Sequence, residues 1–266
     1  DGTVSRIAEN EWYVTTSTGK AVAVMTHLEF YAQTVWPELH VHLTSVSDQF
    51  AAMAVAGPKS RDVLAGLFGE TAVTDTALPF MGCRDVVVDG MPVRLIRMTF
   101  SGERAFELHT PSGFGQAIWD RAVDCGRRHG LTVYGTEAMS TLRIEKGHVA
   151  GNELDGRTLT SDLGLERMQK PDDDFVGRRA LQRPALDGTD ARKTLVGLKS
   201  LDGNPVPRGA QLVADPNAAK PVPMLGHVAS QCYSPHVGAH IGLGLLIARA
   251  EWMGRRVFAV CELTSK

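Results

Sequence analysis

The spacing of apolar residues changes period several times along the chain, and each change predicts an element. Over residues 5–18 apolar and polar positions interleave as in strands. From 19 to 36, Ala21, Val24, Met25, Leu28, Tyr31 and Val35 recur at helical spacing until Pro37 stops the run. This predicts a helix laid on a sheet. Leu39, Val41 and Leu43 alternate as a strand would, and residues 50–55 form a second apolar run. Pro58 opens a helix that carries Val63, Leu64 and Leu67 and stops at Gly69. A second such unit follows. Residues 86–88 and 93–100 read as strands, 105–110 pair back across the turn Ser101-Gly102-Glu103-Arg104, and Phe114, Ala117, Ile118, Ala122 and Cys125 mark a helix. A further helix is predicted after Gly135, with Thr136 as its N-cap, Met139, Leu142 and Lys146 on adjacent turns, and Gly147 as a left-handed C-cap.

Past Phe175 the texture changes. A linker at 184–189 leads to short strand-like pieces at 194–198, 211–214, 226–230, 242–246 and 257–262, separated by Gly, Pro and Asn. They predict a small β-barrel or jelly-roll domain. The expected fold class is therefore α+β, with a region of two α+β subdomains over 1–183 and a C-terminal β-barrel domain over 190–266. No short tandem repeat and no low-complexity stretch is visible.

Composition narrows the function classes. The 266 residues are 43% hydrophobic and 22% charged, enough to bury a sizeable core. With 28 basic against 30 acidic residues and no dense basic cluster, nucleic acid is a poor partner. The apolar run 241–248 is too short to span a bilayer. Cys83, Cys125, Cys232 and Cys261 are scattered without a CxxC pair, which favours reduced thiols and a cytoplasmic protein over a zinc site or a disulfide framework. The chain opens at Asp1 without a signal core and reads as a piece of something longer. His40 and His42 would share a strand face but lack a third ligand, and His236 and His240 sit among Pro235, Gly238 and Gly242, so neither pair is read as a metal site. Gly242-Leu243-Gly244 is only a fragment of a dinucleotide pattern, and no flavin or nicotinamide site is visible in this chain.

The most informative segment is Tyr-Gly-Thr-Glu-Ala-Met-Ser-Thr-Leu-Arg-Ile-Glu-Lys-Gly at 134–147. With Thr-Phe-Ser-Gly-Glu-Arg-Ala-Phe-Glu-Leu at 99–108 and Asp-Phe-Val-Gly-Arg-Arg-Ala-Leu at 174–181, it resembles the aminomethyltransferase-like family of the glycine-cleavage T-protein. Thr-Glu-Ala-Met at 136–139, Lys-Gly-His-Val-Ala-Gly at 146–151 and Asp-Leu-Gly-Leu at 162–165 are particularly similar to the C-terminal part of the alpha subunits of heterotetrameric sarcosine oxidases. The resemblance implies tetrahydrofolate as the cofactor on this chain and flavin and NAD elsewhere in a complex. The implied partners are the rest of an alpha subunit and the beta, gamma and delta subunits. The implied chemistry is capture, on tetrahydrofolate, of the imine formed by oxidation of sarcosine, with 5,10-methylenetetrahydrofolate and glycine as products. Two other classes stay open: a T-protein aminomethyltransferase and a non-catalytic folate-binding or structural module. Against the iron–sulphur-related branch of the family, His148 rather than Cys follows Lys146-Gly147.

Strand alternation sends Phe106 and Leu108 to one face and Ala105, Glu107 and His109 to the other. A pterin offers a ring N–H beside an exocyclic amine, an edge that a carboxylate can accept with two parallel hydrogen bonds. The resemblance gives that role to Glu107. It likewise places Asp1 beside folate N10, as an electrostatic and general-base group. Ser17 stands where T-proteins have a folate-contacting asparagine, and Phe100 where they have a tyrosine. Met139 replaces a T-protein arginine, and Glu137, beside Thr136, has no T-protein counterpart; both are counted with the folate site. Arg143 is read as structural, paired with an acid such as Glu145 or Glu137.

Overall fold

The computed structural model describes residues 2–170, 173–183, 186 and 192–261, which divide into two compact units, one ending at Val133 and the other beginning at Tyr134. The first unit opens with an antiparallel hairpin of β1 (Gly2–Ala8) and β2 (Glu11–Thr16). Its alternation is physical. Thr3 and Thr15 face each other on the inner side with hydroxyls 2.7 Å apart, while Trp12 lies outside under the Arg6 guanidinium at 5.9 Å. Helix α1 (Ala21–Phe30) follows and runs into a wider π-turn at Tyr31–Val35, just ahead of Pro37.

Residues 39–43 do not form the expected strand. The Val41 N–H bonds the Leu39 carbonyl at 3.0 Å, which curls the backbone, and both side chains are about half exposed. Alternation cannot make a strand where no ladder partner lies alongside among the described residues.

A four-stranded antiparallel sheet in the order β3-β6-β5-β4 is the centre of this unit, built from β3 (Phe50–Ala56), β4 (Cys83–Val88), β5 (Met91–Ile96) and β6 (Ala105–Pro111). Helices α2 (Ser60–Phe68) and α3 (Gly115–Arg127) cover one face. Val63, Leu64 and Leu67 of α2 and Ile118 and Ala122 of α3 pack with Val93, Leu95, Phe106 and Leu108 of the sheet into one buried cluster. At Gly115 a Cβ would lie 2.7 Å from that of Ala51, so glycine lets α3 come close to β3. The expected strand to Phe100 ends at Ile96. There the chain leaves β6, and the Arg97 N–H bonds the Gly82 carbonyl at 2.9 Å while its own carbonyl accepts from Met81.

The second unit begins with α4 (Thr136–Lys146), the helix that the sequence groups with the preceding region. Its N-cap is Gly135, with extended backbone, and Thr136 is the first helical residue, so the threonine caps nothing. Gly147 does take the left-handed conformation (φ 78°), and the His148 N–H returns to the Arg143 carbonyl at 2.8 Å. Beyond a short helix α5 (Arg178–Leu181), five strands form an antiparallel sheet in the order β11-β8-β9-β10-β7. They are β7 (Thr194–Lys199), β8 (Gln211–Val213), β9 (Met224–Ser234), β10 (Ala239–Leu246) and β11 (Phe258–Val260), with helix α6 (Arg249–Trp252) before the last. Val196, Leu212, Val228 and Leu246 form their core. Most of the predicted linker at 184–189 falls outside the described residues. No helix among the described residues is long and apolar enough to cross a membrane.

Candidate functional site

Glu107 sits near the middle of β6, one of the two inner strands of its sheet, opposite Ala54 on β3 and Ile96 on β5. Strand alternation decides its orientation. Phe106 and Leu108 are fully buried under the helices, so Glu107 and His109 project from the opposite face. Neither the helices nor bulk water takes that face entirely: the Glu107 side chain is 31% exposed and that of His109 only 7%.

Three side chains meet here. His109 Nε2 lies 3.0 Å from Glu107 Oε2, and His109 Nδ1 lies 3.0 Å from the Tyr13 hydroxyl on β2. Tyr13 packs edge-on to the imidazole, with ring centroids 5.6 Å apart, and rests against Phe50. Over the phenol lies the Arg94 guanidinium, 4.7 Å from the ring centroid and held by two hydrogen bonds to Asp85 at 2.8 and 2.9 Å. Burial pushes the Tyr13 phenol above its ordinary pKa; Arg94 opposes this and the Glu107 charge adds to it, so the hydroxyl keeps its proton at neutral pH. Among the described residues, His109 is the one side chain hydrogen-bonded to the Glu107 carboxylate, which leaves Oε1 open to a ligand donor. An oriented acid, partly dry and with spare lone pairs, fits the paired donor edge of a pteridine.

The other predicted site residues belong to both units. Ser17 is exposed at the end of the hairpin, where its carbonyl accepts from Lys20 at 2.8 Å. Phe100 is half-buried in the connection from β5 to β6 rather than on a strand. Thr136 and Glu137 are exposed on the first turn of α4 in the second unit, and Asp1 lies outside the described residues. Arg143 is structural, but its acid is Glu153 at 2.9 Å instead of Glu145 or Glu137. The second unit also has an open cleft of about 620 Å³, bounded by Gly147, Leu195, Lys199, Ile241 and Met253, and none of the predicted site residues lines it. Among the described residues no three His, Cys, Asp or Glu side chains are grouped to hold a metal ion.

Sequence reasoning missed His109 and Tyr13 as members of the site. His109 carried a signal, since it lies two residues from Glu107 on the same strand face. Tyr13 carried none, because 96 residues separate it from His109 and only the hairpin's packing brings the two together.

Residues 1–173 match the GCVT N-terminal domain and residues 193–263 match the glycine cleavage T-protein C-terminal barrel domain. Sarcosine oxidase subunit alpha of Rhizobium meliloti is 45% identical over 92% of the chain, and that of Corynebacterium sp. (strain U-96) is 41% identical over 92%. The chain spans only about a quarter of the length of these relatives, 25% and 26%. An aminomethyltransferase of Saccharopolyspora erythraea is 33% identical over 92% of the chain and 67% of its own length. The crystal structure of aminomethyltransferase T from Bartonella henselae shares the fold, with a TM-score of 0.79 at 23% identity over 98% of this chain and 67% of that one. By its two domain matches and these relatives, the chain belongs to the glycine-cleavage T-protein family.

Proposed function

We propose that this chain is the folate-binding portion of a sarcosine oxidase alpha subunit. In this reading it receives the imine formed when sarcosine is oxidised and directs its carbon onto tetrahydrofolate, giving 5,10-methylenetetrahydrofolate and glycine. The observation that carries the reading is the Glu107 carboxylate, fixed by His109 on β6 with one oxygen open. Its support from relatives is the 45% identity to a sarcosine oxidase alpha subunit over nearly the whole chain.

Bound tetrahydrofolate would supply the two nitrogens that take up the carbon; everything else is asked of the protein. Glu107 would grip the pteridine by two charge-assisted hydrogen bonds and so fix where the nitrogens point. Asp1 is proposed beside N10, where a carboxylate stabilises the incoming cation and accepts a proton. Flavin, NAD and the beta, gamma and delta subunits belong to the same proposal as components outside this chain.

A charge-assisted hydrogen bond is worth about 1.5–3 kcal/mol, so Glu107→Ala should weaken tetrahydrofolate binding on the order of a hundredfold. Calorimetric titration of the intact complex measures this directly. An unchanged affinity in a folded variant removes Glu107 from the site. The T-protein alternative has its own support in the Saccharopolyspora relative. Capture by a lipoylated carrier protein would favour it, since a T-protein takes its carbon from that arm.

A further inference from the structure

We propose that His109 and Tyr13 are positioning residues for the folate site, which hold the Glu107 carboxylate in the orientation that a pteridine donor edge requires. The proposal rests on the reading of Glu107 as the pteridine acceptor.

Hydrogen-bond geometry fixes the proton on the imidazole. An ionised carboxylate only accepts, so the contact at 3.0 Å between Glu107 Oε2 and His109 Nε2 places a hydrogen on Nε2. With the ring neutral, Nδ1 then accepts, and its partner at 3.0 Å is the Tyr13 hydroxyl. That phenol keeps its hydrogen because burial holds its pKa up. The direction is thus Tyr13 O–H to Nδ1, and Nε2–H to Oε2. Each member is also mechanically held. His109 is 6% exposed, and Tyr13 is gripped between the Phe50 ring at 5.6 Å and the Arg94 guanidinium at 4.7 Å. Arg94 in turn is anchored to Asp85. A glutamate alone on a strand face would sample several rotamers, and binding would have to freeze them. Here one lone pair of Oε2 is tied down in advance, while Oε1 and the remaining Oε2 lone pair are left for the ligand's two donors.

The test compares two ligands in the intact complex: tetrahydrofolate, and its 2-desamino-2-methyl analogue, which lacks one donor of the pteridine edge. His109→Leu should weaken tetrahydrofolate about tenfold, the size of one such hydrogen bond, but the analogue about twofold or less. His109→Gln, whose amide can still donate to Glu107, should restore tetrahydrofolate to within about threefold of the parent. Tyr13→Phe keeps the ring packing and removes only the hydroxyl, and should weaken tetrahydrofolate about threefold to fivefold; it serves equally should the leucine variant fail to fold. Equal losses for both ligands would mean a merely structural histidine and would overturn the proposal, as would parent affinities in His109→Leu and Tyr13→Phe. A Glu107→Gln control separates the two levels. If the control loses binding while the His109 and Tyr13 variants keep it, the positioning role alone falls. If the control binds like the parent, the reading of Glu107 falls and the positioning role with it.

Discussion

Arg143 shows what a single buried charge does in this molecule. It is 7% exposed and donates to the Glu153 carboxylate at 2.9 Å, the Ser230 hydroxyl at 2.7 Å and the His148 carbonyl at 3.2 Å, so one guanidinium joins α4, the turn after it and β9. Glu153 is fully buried; its Oε2 also accepts the Ala150 N–H, while Oε1 has no partner among the described residues. Moving both ions out of water is costly, and the pair offsets that cost only while both charges are present. Arg143→Met should therefore destabilise the second unit by about 3–5 kcal/mol, because it strands a buried carboxylate. Adding Glu153→Leu should recover much of the loss despite removing a second native residue. Urea unfolding of the parent and the two variants measures both steps. A double variant less stable than Arg143→Met would show that the pair stabilises through more than mutual neutralisation.

At the scale of elements, a glycine lets β9 and β10 lie close together in the second unit. A Cβ on Gly226 would sit 1.9 Å from the Leu245 carbonyl oxygen, whereas one on Gly197 of β7 would meet nothing within 4 Å. Gly226→Ala should push the two longest strands apart and cost about 1–3 kcal/mol, while Gly197→Ala should change thermal stability little. Comparable shifts for the two would mean that the strands yield without losing their ladder. The Gly242-Leu243-Gly244 run has the same kind of cause: it lies inside β10, and a Cβ on Gly242 would be 2.7 Å from the Ser230 carbonyl. Elements with a strong internal period were legible in the sequence. α2 shows its buried stripe at Val63, Leu64 and Leu67, and the five C-terminal strands fall where Gly, Pro and Asn punctuate them. The 39–43 stretch misled because alternation reports a side-chain pattern and says nothing of a backbone partner. Thr136 misled because Gly135 already supplies the extended residue that a cap position needs.

Over the whole molecule, what a sequence conceals is the meeting of distant residues. Glu107 could be aimed from β6 alone, but its hydrogen-bond chain needed the hairpin's packing, and the acid opposite Arg143 lies beyond a helix cap. Other charged pairs set the response to acid. Asp75 is held well below the usual carboxylate range by hydrogen bonds first from Arg61 and then from Arg97. Burial raises Asp162, but hydrogen bonds from Arg192 and the Leu159 N–H outweigh it, and Asp155 is lowered by Arg157. For such groups the unfolded chain binds protons first, so their contribution is present above the ordinary value near 4 and is lost as pH falls through it toward the folded value. His227 and His148 act earlier. Burial, aided by Lys193 at His227 and by Arg143 at His148, lowers both, so the unfolded chain protonates near the ordinary 6.5 while the folded one resists. Stability should therefore decline gently below about pH 6.5 and more steeply below about pH 4. His227→Gln should flatten the first step. Asp75→Asn should flatten the second, less so at high salt because the Asp75 side chain is 67% exposed and its pairs are screened. Urea unfolding at a series of pH values reads both steps: stability that rises on acidification between pH 6.5 and 4 would contradict the sign of the two histidine shifts, and one that rises below pH 4 that of the aspartates.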